Sequence, residues 1–85
     1  TPRQLEVDFV LYGSRGLLAI EIKRTRHIRP RDLRGLRAFM KDYPMARSYL
    51  FYGGEERQFR HGVALVPLDH ALKGLTQILA NEETD

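Results

Sequence analysis

The sequence predicts an α/β domain with a small mixed β-sheet, one crossover helix and a C-terminal helix. Three observations lead to this fold class. Two adjoining apolar segments are joined by a glycine-flanked turn, a stretch with helical spacing follows them, and two further apolar segments precede a second helical stretch. A strand, a helix and a further strand usually join in parallel. The 85 residues have room for a single core.

The first two strands are predicted to form an antiparallel hairpin. Residues 6–12 are rich in β-branched and aromatic side chains, residues 17–23 are almost continuously apolar, and residues 13–16 are typical of a turn. Side chains alternate across a strand, which predicts one apolar face toward the core. That face would comprise Val7, Phe9, Leu11, Leu18, Ile20 and Ile22.

A helix is predicted to begin at Pro30 and to end before Pro44, with Asp32 placed favourably near its positive end. One apolar stripe recurs at helical spacing, and it consists of Leu33, Leu36, Phe39 and Met40. The basic residues fall largely outside it, at positions Arg31, Arg34, Arg37 and Lys41.

Two more strands and a last helix complete the predicted fold. Residues 48–52 and 63–68 have strand composition, and Pro67 is expected near a sheet edge or a strand end. Asp69 is predicted to cap a helix whose apolar stripe contains Leu72, Leu75, Ile78 and Leu79. Residues 1–80 would form the domain, and residues 81–85 a frayed acidic tail.

The composition restricts the function classes. The absence of cysteine excludes disulfides, thiolate metal sites and a cysteine nucleophile, and it is compatible with a cytoplasmic location. No run of about 18 apolar residues exists, so no membrane association is expected. The chain starts with Thr1 and enters a strand pattern almost at once, which is expected of a piece of a longer protein.

Three charged residues of the hairpin are the candidate catalytic and metal-binding residues. Glu6 and Asp8 share one face of the first strand, and Glu21 and Lys23 share one face of the second. Residues 19–23 are too apolar for a solvated strand, so the presence of the charged side chains Glu21 and Lys23 in it requires an explanation. One explanation is a Mg²⁺ ion held by Asp8 and Glu21, with Lys23 assisting the attacking water. A partly buried ion pair of Lys23 with one carboxylate is an equally good alternative.

The Glu6-Val7-Asp8 and Glu21-Ile22-Lys23 segments resemble the signature of the PD-(D/E)XK nuclease superfamily, which includes restriction endonucleases. More narrowly, residues 6–68 are similar to the C-terminal domain of unknown function of bacterial and archaeal AAA-type ATPases. The resemblance implies a restriction-endonuclease-like sheet without the N-terminal helix and strand of the full core. It also implies Asp8 and Glu21 as ligands of Mg²⁺ or Mn²⁺ and Lys23 as the catalytic lysine. The proline of the signature is replaced by Val7, and Glu6 has no fixed role.

The strongest local charge bias suggests a nucleic-acid partner. Of the 14 Lys and Arg residues, seven lie between positions 23 and 37, and the predicted DNA-binding set is Arg24, Arg26, Arg29, Arg31 and Arg34. A solvated helix face is an equal alternative. The two function hypotheses are a Mg²⁺-dependent nuclease domain acting on DNA and an inactive nuclease-like module for binding nucleic acid or protein. ATP would bind only to a domain outside this chain, and homodimerisation through exposed strand edges is left open.

The remaining aromatic and histidine residues suggest structural roles. A core position is predicted for the aromatic residues Tyr49, Phe51, Tyr52 and Phe59, in preference to base stacking. The three histidines have no zinc-like spacing, so no histidine-based metal site is expected.

Overall fold

The computed structural model describes residues 7–14 and 16–83, and leaves aside the side chains of residues 75, 76 and 78–83. The described residues form five strands and two helices, with a short 3-10 helix before the first α-helix. The elements are β1 (Phe9–Gly13), β2 (Gly16–Lys23), the 3-10 helix (Pro30–Leu33), α1 (Arg34–Asp42), β3 (Arg47–Tyr52), β4 (Gln58–Arg60), β5 (Val63–Pro67) and α2 (Leu68–Glu83).

The strands form one mixed sheet in the order β1-β2-β3-β5-β4. The central strands β2, β3 and β5 are parallel, and the two outer strands pair antiparallel with their neighbours. Helix α1 connects β2 to the parallel strand β3. This confirms the predicted mixed α/β class and the crossover helix.

The first hairpin forms as predicted, but its first strand is shorter. Phe9 pairs with Ile20, and Gly13 pairs with Gly16 across the turn. Gly16 has a φ of 131°, a conformation that favours glycine. The strand begins at Phe9, because the chain bends at Asp8. Glu6, the predicted start of the strand, lies outside the described residues.

The crossover connection is stabilised at its start by Asp32. The backbone N–H of Arg29 donates a hydrogen bond to Asp32 Oδ2 at 2.8 Å, and Asp32 N–H donates to the carbonyl oxygen of Arg29. This reciprocal arrangement stabilises the entry into the helix. Leu33 and Leu36 are fully buried, and Phe39 packs against the same cluster. The predicted apolar stripe of this helix is confirmed.

The fifth strand, β4, was not predicted from the sequence. It contains only three residues and joins β5 through His61 and Gly62, which have φ values of 50° and 82°. Two central residues with positive φ are characteristic of a tight hairpin turn. The outer strand leaves Phe59 73% exposed, so the core position predicted for Phe59 is wrong, whereas Phe51 and Tyr52 are buried as predicted. Pro67 ends β5, which agrees with its predicted place at a strand end.

The last helix differs from the prediction at its beginning. It starts at Leu68, so Asp69 lies inside the first turn and is not the residue before the helix. Leu72 is 76% exposed, and the packed residues of this turn are Leu68 and Ala71. The side chains of Leu75, Ile78 and Leu79 lie outside the described set. The helix continues past Asn81, where the frayed tail was expected to begin.

No helix of the described residues is long and apolar enough to cross a membrane.

Two apolar clusters cover the two faces of the sheet. The cluster on the α1 side includes Ala19, Leu36, Leu50 and Leu65, with Val7 packed against it. The cluster on the α2 side is formed by Leu18, Ile20, Phe51, Val66 and Ala71.

The predicted apolar face of the hairpin is therefore only partly correct. Val7 packs on the α1 side and does not share the face of Phe9 and Leu11, because the bend at Asp8 interrupts the alternation. Phe9, Leu11 and Ile22 are exposed. They border an open apolar groove beside α2.

Leu36→Ala should lower the free energy of unfolding by about 2 to 5 kcal/mol, because the substitution leaves a cavity in the α1-side cluster. Leu72→Ala is the matched control, since it makes the same change at an exposed helical position and should alter stability by about 0.5 kcal/mol or less. Urea denaturation followed by circular dichroism measures both values. Equal losses in the two variants would contradict the burial of Leu36.

Candidate active site

Glu21 and Lys23 lie on the α1-side face of β2, near the end of the strand. Glu21 is 3% exposed, and its position in the sheet is directly beside Leu50 of β3. Lys23 Nζ lies 3.4 Å from Glu21 Oε2, and the lysine side chain keeps 29% of its surface exposed. Burial of a carboxylate is costly unless charge or hydrogen bonds compensate for it. The strand therefore carries a buried acid next to a partly solvated amine.

Asp8 reaches the same part of β2 from the neighbouring chain segment. Its Oδ2 atom accepts a hydrogen bond from the backbone N–H of Ile22 at 2.8 Å. Ile22 lies between Glu21 and Lys23, and β1 no longer pairs with β2 at this level. The Asp8 carboxylate thus accepts a hydrogen bond that a backbone carbonyl of a paired strand would otherwise accept. This contact places Asp8, the third predicted site residue, at the end of β2 that carries Glu21 and Lys23.

The donor set fits a hard divalent cation only in part. Among residues 7–14 and 16–83, no group of three or more Asp, Glu, His or Cys side chains could hold a metal ion. Mg²⁺, however, is often bound by one or two carboxylates together with waters and phosphate oxygens. Asp8 and Glu21 provide two carboxylates, as many as such an ion commonly takes from a protein, and too few for a metal site built from protein ligands alone.

The segment after Lys23 is held against the end of β3. Gly53 N–H donates to the carbonyl oxygen of Thr25 at 2.9 Å. A Cβ atom at Gly53 would collide with the carbonyl oxygen of Arg24, so only glycine permits this close backbone approach. Arg26 pairs with Glu55 at 3.1 Å on the surface. The strand end that carries Lys23 is fixed by backbone contacts, with Arg24 and Arg26 beside it.

The structure separates the predicted DNA-binding arginines into two groups. Arg24, Arg26 and Arg29 lie in the connection after β2, whereas Arg31 and Arg34 lie on the outer face of the crossover helix. An open groove of about 770 Å³ runs along that face, lined by Pro30, Arg31, Arg34, Arg37, Ala38 and Lys41. Arg37 and Lys41 were not in the predicted binding set. Their spacing of three and four residues from the preceding basic position could have identified them.

Most of this chain matches the sequence model of one protein family. The sequence model of a domain of unknown function, DUF4143, matches residues 1–71, which is most of the chain. The chain belongs to the DUF4143 family. This domain is found in AAA-ATPase-associated proteins, which agrees with the narrower resemblance of the sequence. Comparisons with curated proteins and with solved structures gave no match.

Asp8→Ala should accelerate hydrogen exchange at the Ile22 amide, because that N–H loses its acceptor. The lost bond should lower the free energy of unfolding by about 0.5 to 1.5 kcal/mol. Asp8→Asn retains a side-chain carbonyl oxygen and should preserve most of the protection. Amide exchange measured by NMR distinguishes the two variants. The contact would be refuted if the Ile22 amide exchanged at the same rate in the parent protein and in Asp8→Ala.

Proposed function

We propose that this DUF4143 chain carries a Mg²⁺-dependent, nuclease-like site that acts on DNA phosphodiesters. The observation that carries the proposal is the buried Glu21 beside Lys23, with Asp8 bonded to the backbone between them. The Asp8 and Glu21 carboxylates would hold the ion. A bound Mg²⁺ would supply positive charge to a phosphate oxygen and lower the pKa of a coordinated water.

Lys23 is suited to act on the phosphate side of such a site. Its side chain is partly exposed, whereas Glu21 is buried, so the ammonium group borders solvent where a substrate can approach. A cation at this point can stabilise negative charge that develops on the phosphorus oxygens, or orient the attacking water. Arg24 follows Lys23 in the chain and would contact neighbouring phosphates.

The fold supports the nuclease-like assignment through the order of its elements. Asp8 precedes β1, the Glu-x-Lys segment ends β2, and a crossover helix leads to a parallel strand. This order agrees with the restriction-endonuclease-like sheet that the sequence resembles. The assignment to PD-(D/E)XK nucleases is part of the proposal, as are Mg²⁺ and DNA.

The ion pair between Lys23 and Glu21 favours a second candidate function. A lysine that neutralises a buried glutamate gives the strand a structural reason for both charges, and no metal is then needed. In that case the chain would be an inactive nuclease-like module that binds nucleic acid or protein. Metal binding and strand cleavage separate the two candidates.

Mn²⁺ should broaden the NMR signals of residues 8 and 21–23 selectively, because a paramagnetic ion relaxes nuclei close to it. Asp8→Asn should weaken this effect, since a neutral amide is a poorer ligand for a hard cation. Asp69→Asn is the matched control, as it removes one exposed carboxylate on α2. Uniform broadening over the surface, or equal broadening in both variants, would exclude a metal site at the hairpin.

The full-length gene product that carries this chain should nick supercoiled plasmid in the presence of Mg²⁺ or Mn²⁺. Lys23→Ala should reduce the rate by about 100- to 1,000-fold, the usual effect of removing one group that stabilises the transition state. Asp8→Ala should abolish the metal-dependent nicking, because it removes a ligand of the ion. Lys73→Ala removes an exposed lysine from α2 and should leave the rate unchanged. Equal nicking by all four proteins would reject the assigned roles and leave the binding module.

A further inference from the structure

We propose that the outer face of α1 is a docking surface for the phosphate backbone of duplex DNA, separate from the site on β2. The surface is a row of four basic side chains, here called the cationic stripe, and it consists of Arg31, Arg34, Arg37 and Lys41. The proposal rests on the proposed function only in sharing DNA as the substrate class. It requires neither a metal ion nor cleavage.

The position of the cationic stripe follows from the helical repeat. All four residues are exposed, whereas Leu33 and Leu36 on the opposite side of the same segment are fully buried against the sheet. The stripe is about 16 Å long, from rises of about 1.5 Å per α-helical residue and 2.0 Å per 3-10 residue. It therefore faces away from the sheet, whose α1-side face carries Glu21.

The pattern of charges differs from that of an ordinary solvated helix. No Asp or Glu lies three or four residues before or after any stripe residue in the sequence. Two acids adjoin the stripe in the sequence: Asp32, which accepts the hydrogen bond from Arg29 N–H, and Asp42, which forms no ion pair within the described residues. In the described part of the chain, none of the four stripe residues forms an ion pair. Like charges at these spacings repel each other along the helix, and a bound polyanion removes that repulsion.

The lining of the groove selects the class of polyanion. Besides the four cations it contains only Pro30 and Ala38, so no aromatic ring is available for stacking on an unpaired base, and no deep apolar pocket is available for a peptide anchor. The phosphates of one DNA strand repeat about every 3.4 Å along the axis, so a stripe of this length faces about five of them. Arginine forks bind phosphate oxygens in pairs. These properties fit contact with a duplex backbone without reading of bases.

The experiment measures the salt dependence of binding to a fluorescently labelled 20-base-pair duplex, by anisotropy, in EDTA. Four released counterions give a slope of log Kd against log salt concentration of about 3.6, which weakens binding about 150-fold between 50 and 200 mM salt. Arg34→Gln combined with Arg37→Gln should halve the slope, so that the same change of salt weakens binding only about 12-fold. Glutamine keeps a comparable helix propensity, and circular dichroism verifies the fold.

The control is Arg57→Gln combined with Lys73→Gln. It removes the same two charges from exposed positions outside the stripe, and it should retain the slope of the parent protein. Equal slopes for the two double variants would overturn the proposal, since net charge alone would then explain binding. Stripe-dependent binding of poly-glutamate as tight as that of the duplex would also overturn it, in favour of an acidic protein partner. Because binding is measured in EDTA, where Mg²⁺-dependent cleavage cannot occur, a failure of the proposed cleavage is distinguishable from a failure of docking.

Discussion

The burial of β2 on both faces determines the arrangement of the whole domain. Leu18 and Ile20 contribute to the cluster on the α2 side, while Ala19 contributes to the cluster on the α1 side. A strand covered on both sides is expected to be continuously apolar. Glu21 breaks that rule in the covered part of the strand, and Lys23 beside it reduces the cost of the buried charge. The charged end of β2 is thus the point where the sequence departs from what packing alone requires.

The crossover helix shares this constraint and divides the charges of the molecule. Its inner face has to cover β2 and β3, so Leu33 and Leu36 are buried there. Its basic residues are consequently displaced to the outer face, a helix diameter of about 10 Å away from the sheet. One basic stretch of the sequence thus forms two exposed surfaces. The first continues from Lys23 into the connection after β2, and the second lies on the outer face of α1. Mutations of one surface can therefore be interpreted without the other.

The parts of the fold that could be predicted from the sequence are those in which several neighbouring residues favour the same structure. They are the apolar run of β2, the helical stripe of α1 and the aromatic-rich strand at residues 48–52. Strand β4 has only three residues and no repeat that could identify it. The bend at Asp8 interrupts the alternation, so Val7 faces the cluster opposite to the one predicted. Alternation correctly placed Glu21 and Lys23 together, but it could not indicate that Asp8 would bond to the backbone of Ile22.

Charge balance connects the ion pair with the proposed chemistry. Asp8, Glu21 and Lys23 together carry one negative charge when all three are ionised, a small total that folding can accommodate at a partly buried position. A divalent cation would change this total to one positive charge, and a phosphodiester, which carries one negative charge, would then neutralise the site. In the proposed site, a bound divalent ion would attract the Glu21 carboxylate more strongly than the singly charged ammonium group of Lys23 does. The lysine would be released toward solvent, the direction from which the phosphate approaches. The ion pair that stabilises the strand is therefore also compatible with the proposed role of Lys23 in catalysis.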